Sequence, residues 1–589
     1  MPVLVWSAPL SAEVTADPTA SAHETDTTEA PVRRAPGWRP TYPAAIIQVN
    51  PDAVATPPPE AFPVDELPMP DRWRIIEALG THARWYDPYN QNTLKGDRPL
   101  PGLEDWFFAF NGVSDSVLEL RSFPVPVGGP TTENPNSLDT FGRSDSLVAS
   151  QTILLGASLF KGSTAFKPPE LEFHIALGLN ANYAVISERG LLSIASSRGP
   201  RRYDQFLALQ EAFIDYHLRN VSDRYDFDSL RIGIQPFSSD FRGFLFQDNQ
   251  LGIRLFGNRD NNKFQYNLAG FVLVEKDTNS GLNDVGQALR KDAFLVGNLY
   301  RQDLPVPGIT SQITLIYNAN REGREVHYNS NGFPARPALI GNLRPRDYDI
   351  VYLGYNLDGH LGRINLTGSI YGALGEDRNS IFTDKAADVR AWFAALEPSI
   401  DLDWIRVRLS GLYASGDHNP YDHKETGFDA ISENPLIAGA DTSYWIRQSV
   451  PFVGGGRGVS INGRNGVLNA LRSSKEEGQS NFNNPGTVLL GAGADLDLTP
   501  NLRVSGNLNH IWFADTAVIQ ALRQEGSIPN EVGWDYSVAA IWRPLMTQNI
   551  VFRLSAAALD PGAGFKDLFT DRARSGRFYS VLLNTVLAF

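Results

Sequence analysis

The chain has no cysteine among its 589 residues. A disulfide framework, a thiolate nucleophile and a Cys-ligated metal are therefore all excluded. An exported envelope protein that needs no disulfide fits that absence. No apolar run reaches the roughly 20 residues of a membrane-spanning helix, and mean hydropathy is negative at −0.24. A helical membrane protein is excluded, but a membrane β-barrel is not, because its strands need only about ten alternating residues each. Positive charge is short: 52 basic residues face 66 acidic ones, for a net charge of −14, which argues against a nucleic-acid partner. Neither G-x-S-x-G nor H-E-x-x-H occurs, and no compact Ser/His/Asp grouping is visible. The glycine-rich run 454–458 lacks the Lys-Ser/Thr that phosphate cradling requires. No enzymatic activity and no cofactor are expected.

Glycine (51 residues) and aromatics (32 Phe, 20 Tyr, 11 Trp) are plentiful. The start, MPVLVWSAPLSAEV, has a short apolar stretch and a Ser-Ala cleavage-like site near Ala12, but no positively charged leader. It is either a signal remnant or ordinary polar sequence. Pro, Ala, Thr and Glu dominate up to residue 70, which predicts a disordered leader. In segment 71–105 a brief helical pattern through Trp73 and Ile76 precedes a turn-rich, aromatic stretch, expected to be periplasmic or plug-like.

From Trp106 the period becomes two. About 18 strand-like segments recur, at 106–123, 147–161, 170–187, 206–221, 226–237, 246–258, 263–275, 289–303, 308–321, 348–358, 361–374, 390–401, 403–416, 486–498, 501–514, 533–543, 547–560 and 576–589. Counting back from Phe589, the connections alternate in length. Those near 544–547, 499–501, 402, 359–360, 304–308, 258–262 and 222–226 are short; those near 561–575, 515–532, 417–485, 375–389, 322–347 and 276–288 are mostly long. The exception is 238–245. Such parity predicts a transmembrane antiparallel β-barrel over 106–589, all-β, with about 18 strands (16 at fewest) and its C-terminus periplasmic.

The faces agree with a barrel. Ile405, Val407, Leu409 and Tyr413 share one side; Arg406, Arg408 and Ser410 share the other. If the apolar side meets lipid, the polar side lines a lumen. The inward set is then Arg231, Arg254, Arg363, Arg406, Arg408, Arg503 and Arg553, facing Glu211, Asp215, Glu397, Asp401, Asp495 and Asp497. Opposed rows of this kind either brace the wall or set a transverse field that filters solutes. Of the 52 basic residues 42 are arginine, which suits planar, bidentate contacts. The connection 417–485 is long enough to be functional, as a constriction loop or lid carrying Tyr444 and Trp445, or as an exposed variable loop. Its Asp417, His418, Asp422 and His423 are a metal-ligand grouping on paper, but solvated loop residues are the simpler reading. DTNSGLND at 277–284 departs from a calcium loop in its glycine and its twelfth position, and reads as a polar turn.

One hairpin adds a resemblance. In SLRIGIQPFSSDFRGFLFQDNQLGIRLFG the pattern RxGxQxF…DxRG resembles bacterial outer-membrane barrels of the alginate-export and porin-like families. The resemblance implies a wide channel with a charged lumen, and places Arg231, Gln235, Asp240, Arg242 and Arg254 at or near its constriction. The expected function is passive passage of small hydrophilic solutes, or of an exported product, across the bacterial outer membrane. The rival is a plugged barrel that anchors envelope partners through its leader. Outer-membrane lipid and the barrel assembly machinery are the other expected partners. The closing alternation through Tyr579 and Leu587 to Phe589 resembles the terminal signal that this machinery reads.

Overall fold

The computed structural model describes residues 80, 94–122, 145–162, 168–186, 192–222, 226–336, 344–443, 450–451, 458–459, 477–523, 526–545, 549–567 and 577–589. The leader, nearly all of 71–93, Tyr444, Trp445 and most of the run 454–458 lie outside the described residues.

A short strand, β1 (Lys95–Leu100), precedes the wall. The wall begins with β2 (Leu103–Ser122), β3 (Asp145–Lys161), β4 (Leu171–Ile186), β5 (Arg201–Asn220), β6 (Phe227–Ser238) and β7 (Gln247–Arg259). It continues through β8 (Phe264–Val272), β9 (Asp292–Arg301), β10 (Ile309–Asn320), β11 (Tyr348–Leu361), β12 (Ile364–Asp377) and β13 (Ala387–Leu402). The last six are β14 (Ile405–Ala414), β15 (Thr487–Thr499), β16 (Leu502–Trp512), β17 (Glu531–Trp542), β18 (Ile550–Pro561) and β19 (Phe578–Ala588). Apart from β1 and the two-residue strand Lys424–Glu425, the main sheet holds eighteen strands, β2 to β19, as the sequence predicts. Each pairs antiparallel with its neighbours in the chain, and β19 returns to β2 from Val113↔Ala588 to Arg121↔Ser580. The sheet is closed.

Alternation explains why it closes with this face outward. Ile313 and Leu315 are half exposed on the outside of β10, while Gln312 and Thr314, which alternate with them, are fully buried inside. Leu353, Ile370, Leu409, Leu490 and Leu554 are likewise exposed on the outside of their strands. Aromatics mark both ends of this apolar band: Tyr216, Trp404 and Trp542 at the short-turn end, and Trp392, Tyr413 and Trp534 at the long-loop end. An outward basic residue at mid-band would cost about 2–4 kcal/mol in lipid.

The wall has one face-reversing irregularity. Ala176 pairs with Glu211 but Leu177 pairs with Leu209, so Gln210 bulges from β5. Before the bulge the exposed residues are odd-numbered (Tyr203, Leu207); after it they are even-numbered (Ile214, Tyr216). The extra residue turns Glu211, Phe213 and Asp215 inward.

At the seam β19 covers only part of β2. Below Val113 the same edge is taken by β1, with Lys95↔Ala109 and Pro99↔Phe107 in register. Phe589 and Gly112 exchange both backbone hydrogen bonds, at 2.8 and 3.1 Å, and the Lys95 ammonium lies 4.7 Å from the centre of the Phe589 ring. Lys95–Leu100 thus pairs along the seam, ahead of β2.

Inside the barrel, toward the long-loop end, lies an aromatic core that includes Phe246, Phe271, Phe294, Tyr348, Phe393, Phe428 and Phe482. Its residues come from wall strands and from loops that turn inward.

Candidate functional site in the lumen

Two loops build the filling. The first, 239–246, is the short exception to the length parity. Its boundaries hold; it is short because it dives straight into the barrel. The Ser239 carbonyl accepts hydrogen bonds from Asn298 on β9 and from Gln312 and Thr314 on β10, at 3.3, 2.7 and 3.1 Å. Asp240 folds the loop on itself by accepting the backbone N–H groups of Arg242, Phe244 and Leu245, and accepts the Tyr371 hydroxyl at 3.0 Å. Arg242 donates to Thr367 at 3.2 Å and to the Leu436 carbonyl at 3.3 Å, and lies 3.8 Å from Asp358.

The second is the start of the 417–485 connection, which also turns inward. It zips to the first through backbone hydrogen bonds: Ile431 and Ser432 N–H to Leu245, Asn434 N–H to Gly243, and Leu436 N–H to Arg242. It then reaches the opposite wall. Glu397 accepts the Ala438 N–H and the Ser410 hydroxyl; Asn509 donates to the Ala438 carbonyl, Asn507 to Thr442, and Ser443 to Asp535. Asp441 closes the span with an ion pair to Arg553 at 2.7 Å.

Below this span the wall carries charge on both sides. On β6 and β7, Arg231 and Arg254 are register partners. Arg231 is ion-paired to Asp215 at 2.7 Å and lies over Phe213. Arg254 donates to neutral Asn267 at 2.7 Å and lies over Phe256 and Phe237. Opposite them, Arg408 pairs with Asp495 at 2.5 Å and donates to Asn507. At the short-turn rim, Arg406 pairs with Asp401 and Arg503 with Asp497, and both pairs are well exposed.

Four of the inferred lumen residues are placed differently from expectation. Arg363 sits in the exposed Gly362-Arg363 turn between β11 and β12, because the alternation was read one step past the strand end. Gln235 is fully buried and donates to the Gly252 carbonyl. Asp240 is buried within its own loop, and Glu397 is occupied in holding the second loop. All three support the filling, and Gln235 and Asp240 are buried away from any solute.

The structure also assembles a grouping that the sequence did not display. Ser158 and His174 are register partners on β3 and β4, with Ser158 Oγ 2.7 Å from His174 Nδ1. His174 Nε2 is 3.2 Å from Glu211 Oε2. Ser158 Oγ is also 3.0 Å from Glu172 Oε1, and Phe213 stacks on the imidazole with centroids 4.8 Å apart. The Gln210 bulge brings Glu211 to this face, and no short-range pattern signals a bulge.

A strap at 477–484 locks the long-loop end. Arg336 donates to the Glu477 carbonyl at 2.6 Å and Arg290 to the Gly478 carbonyl at 2.9 Å. Arg290 is paired with Glu322 at 3.0 Å, and Arg336 with Glu275. Arg346 binds Asn481, Asp377 and, at 3.1 Å, Glu425. Burial, aided by the Asp377 carboxylate and against the pull of Arg346, pushes the loop residue Glu425 up to about 8.

The two metal-like stretches are used structurally. Asp277 accepts the Ser280 hydroxyl and N–H in a turn. Asp417 is buried and accepts Asn483 and Thr426. Among the described residues no three metal-ligating side chains converge.

No protein family profile matches the sequence, and no curated protein does. Among solved structures the chain is similar to Pseudomonas aeruginosa OccK2 (OpdF) in complex with glucuronate, at 13% identity over 82% of this chain and 98% of that one, with a TM-score of 0.42. It is similar to Pseudomonas aeruginosa OccK9 (OpdG) at 13% identity over 82% and 98%, with a TM-score of 0.44. A BenF-like porin from Pseudomonas fluorescens Pf-5 is similar at 9% identity over 82% and 98%, with a TM-score of 0.44.

Proposed function

We infer that the chain is a bacterial outer-membrane channel for passive passage of small hydrophilic solutes. One observation carries this reading: a closed sheet of eighteen strands with an apolar, aromatic-bounded outer face and a polar inner one. Backbone satisfaction in lipid demands closure, and the polar interior that closure encloses is a water-filled channel in porins. The exposed groups of the short-turn half, with Arg242 in the roof and Arg406, Arg503, Asp401 and Asp497 at the rim, line the passage. Arginine on an aromatic bed at Arg231 and Arg254 suits a carboxylated solute. The hairpin's resemblance to alginate-export channels makes acidic sugars the first to try. OccK2 holds glucuronate.

A second reading has its own observation. The strap and the zipped loops fill the long-loop half with buried aromatic residues, as a plugged scaffold requires. Planar-bilayer recording separates the two. Stepwise currents with a defined reversal potential in a salt gradient are expected, moving toward cation preference when Arg406 and Arg408 are changed to Ala. A barrel that stays silent, both intact and after removal of residues 1–93, sinks the channel and leaves the scaffold.

A further inference from the structure

Ser158, His174, Glu172 and Glu211 form a chain of contacts whose proton count is constrained by geometry. Glu211 faces Nε2 of the imidazole, so Nε2 carries a hydrogen and donates. Ser158 has one hydroxyl proton and two neighbours able to receive it: His174 Nδ1 at 2.7 Å and Glu172 Oε1 at 3.0 Å. If it donates to Nδ1, the imidazole is neutral and Glu172 loses that donor. If it donates to Glu172, Nδ1 must itself donate to Ser158 Oγ, and His174 is an imidazolium. Every contact becomes a hydrogen bond only in the charged form. The same atoms therefore hold two patterns, a complete charged one and a neutral one short of a single hydrogen bond, which differ by one proton and by the rotation of one hydroxyl.

The surroundings bear on both. On the histidine's own strand the charged neighbour is Glu172, whose register partner on β5 is Asp215. From β5 come Glu211 and the stacked Phe213; from β6, Arg231, ion-paired to Asp215 and lying over Phe213. From β7 come Asn249, which donates to Glu211 at 3.2 Å, and Arg254, the register partner of Arg231. From β3 there is Ser158, and across Gly156 the neutral Asn111. Three carboxylates and two guanidiniums thus share this patch, so a charged His174 balances it and a neutral one leaves it with a net negative charge. A hydrolytic role for the Ser-His-Glu set has no oxyanion donors to work with, because the amides of these strands are engaged in the wall ladder.

We propose that Ser158, His174, Glu172 and Glu211 form a proton-binding site in the lumen wall that changes the charge presented to permeating solutes. The inference rests on the channel reading. Protonation of His174 adds one positive charge to this wall and moves permeation toward anions.

The test joins two measurements on the full chain. Reversal potentials in a salt gradient are recorded from pH 8 to pH 5 for the wild type, His174→Gln and Glu172→Gln. The wild type is expected to shift toward anion preference as the pH falls, His174→Gln to lose that shift, and Glu172→Gln to move its midpoint to lower pH. In parallel, the imidazole resonances of the nine histidines are titrated by NMR in detergent, with His174→Gln identifying the signal. A His174 signal that titrates, with Glu172→Gln lowering its midpoint, supports the site even if the barrel conducts nothing, in which case only the channel reading falls. A conducting His174→Gln channel with the wild-type pH profile overturns the proposal, as does a His174 signal indifferent to Glu172→Gln.

Discussion

Gly243 and Gly439 mark where the inward loops leave no room for a side chain. Both have positive φ, +71° and +72°. A Cβ at Gly243 would stand 2.5 Å from Gln247 Oε1 and 2.6 Å from the Asn434 carbonyl, and one at Gly439 would meet the Asn507 side chain. Gly243→Ala therefore combines an unfavourable backbone with a backbone clash, for a cost of at least about 1 kcal/mol. The zip between the loops is expected to open, with faster amide exchange over 431–436; unchanged protection there would show that the loops are held elsewhere. At this scale the sequence was informative about faces and silent about what packs over them. Arg408 with Asp495, Arg406 with Asp401 and Arg503 with Asp497 are neighbours because alternating strands put like faces together. Gln235 and Glu397 share the inward face too, but Gln235 is buried against the Gly252 carbonyl and Glu397 is held by Ala438 of a distant loop, while Asp240 is taken up by its own loop's N–H groups.

Strand positions were legible because a lipid-facing barrel repeats one constraint on every segment. β3, expected over 147–161, spans Asp145–Lys161; β6, expected over 226–237, spans Phe227–Ser238. The bulge at Gln210 and the folding of loops into the lumen rest on long-range contacts, which no local period encodes. The strap at 477–484 belongs to the same class and gives a prediction of its own. Glu425 is raised above its usual range, so it favours the folded lock when protonated. That contribution is complete below the ordinary carboxyl value near 4.5 and is lost as the pH climbs through about 8. Amide exchange over 477–484 is expected to accelerate between about pH 5 and about pH 8 and to level off above that, and Glu425→Gln to remove the pH dependence while keeping the strap in place. Equal acceleration in the variant, after correction for intrinsic exchange, would assign the effect to another group.

For the molecule as a whole, the seam concentrates the risk. Phe589 joins β2 through two backbone hydrogen bonds and packs against Phe110, with ring centres 6.1 Å apart. Removing it should lower the yield of folded, heat-modifiable barrel while export of the chain continues, as gel mobility with and without boiling would read. Full yield without Phe589 would mean that β1 and the remaining β19 pairs suffice for closure.

The backbone zip between 239–246 and 431–436 also bears on the order in which the molecule is made. One loop leaves the wall early in the chain and the other about 190 residues later, and their shared edge lies within the ring that β2 and β19 complete. Contacts so distant in sequence are slow to form. A wall closed first would have to admit both loops through its mouth past the buried strap. The simpler sequence has the loops meet while the wall is still open, so that the last strands wrap a filling already in place, as staves are drawn round a former. On that view the filling acts as a template for the cylinder, and the circumference of eighteen strands records the size of what it had to enclose.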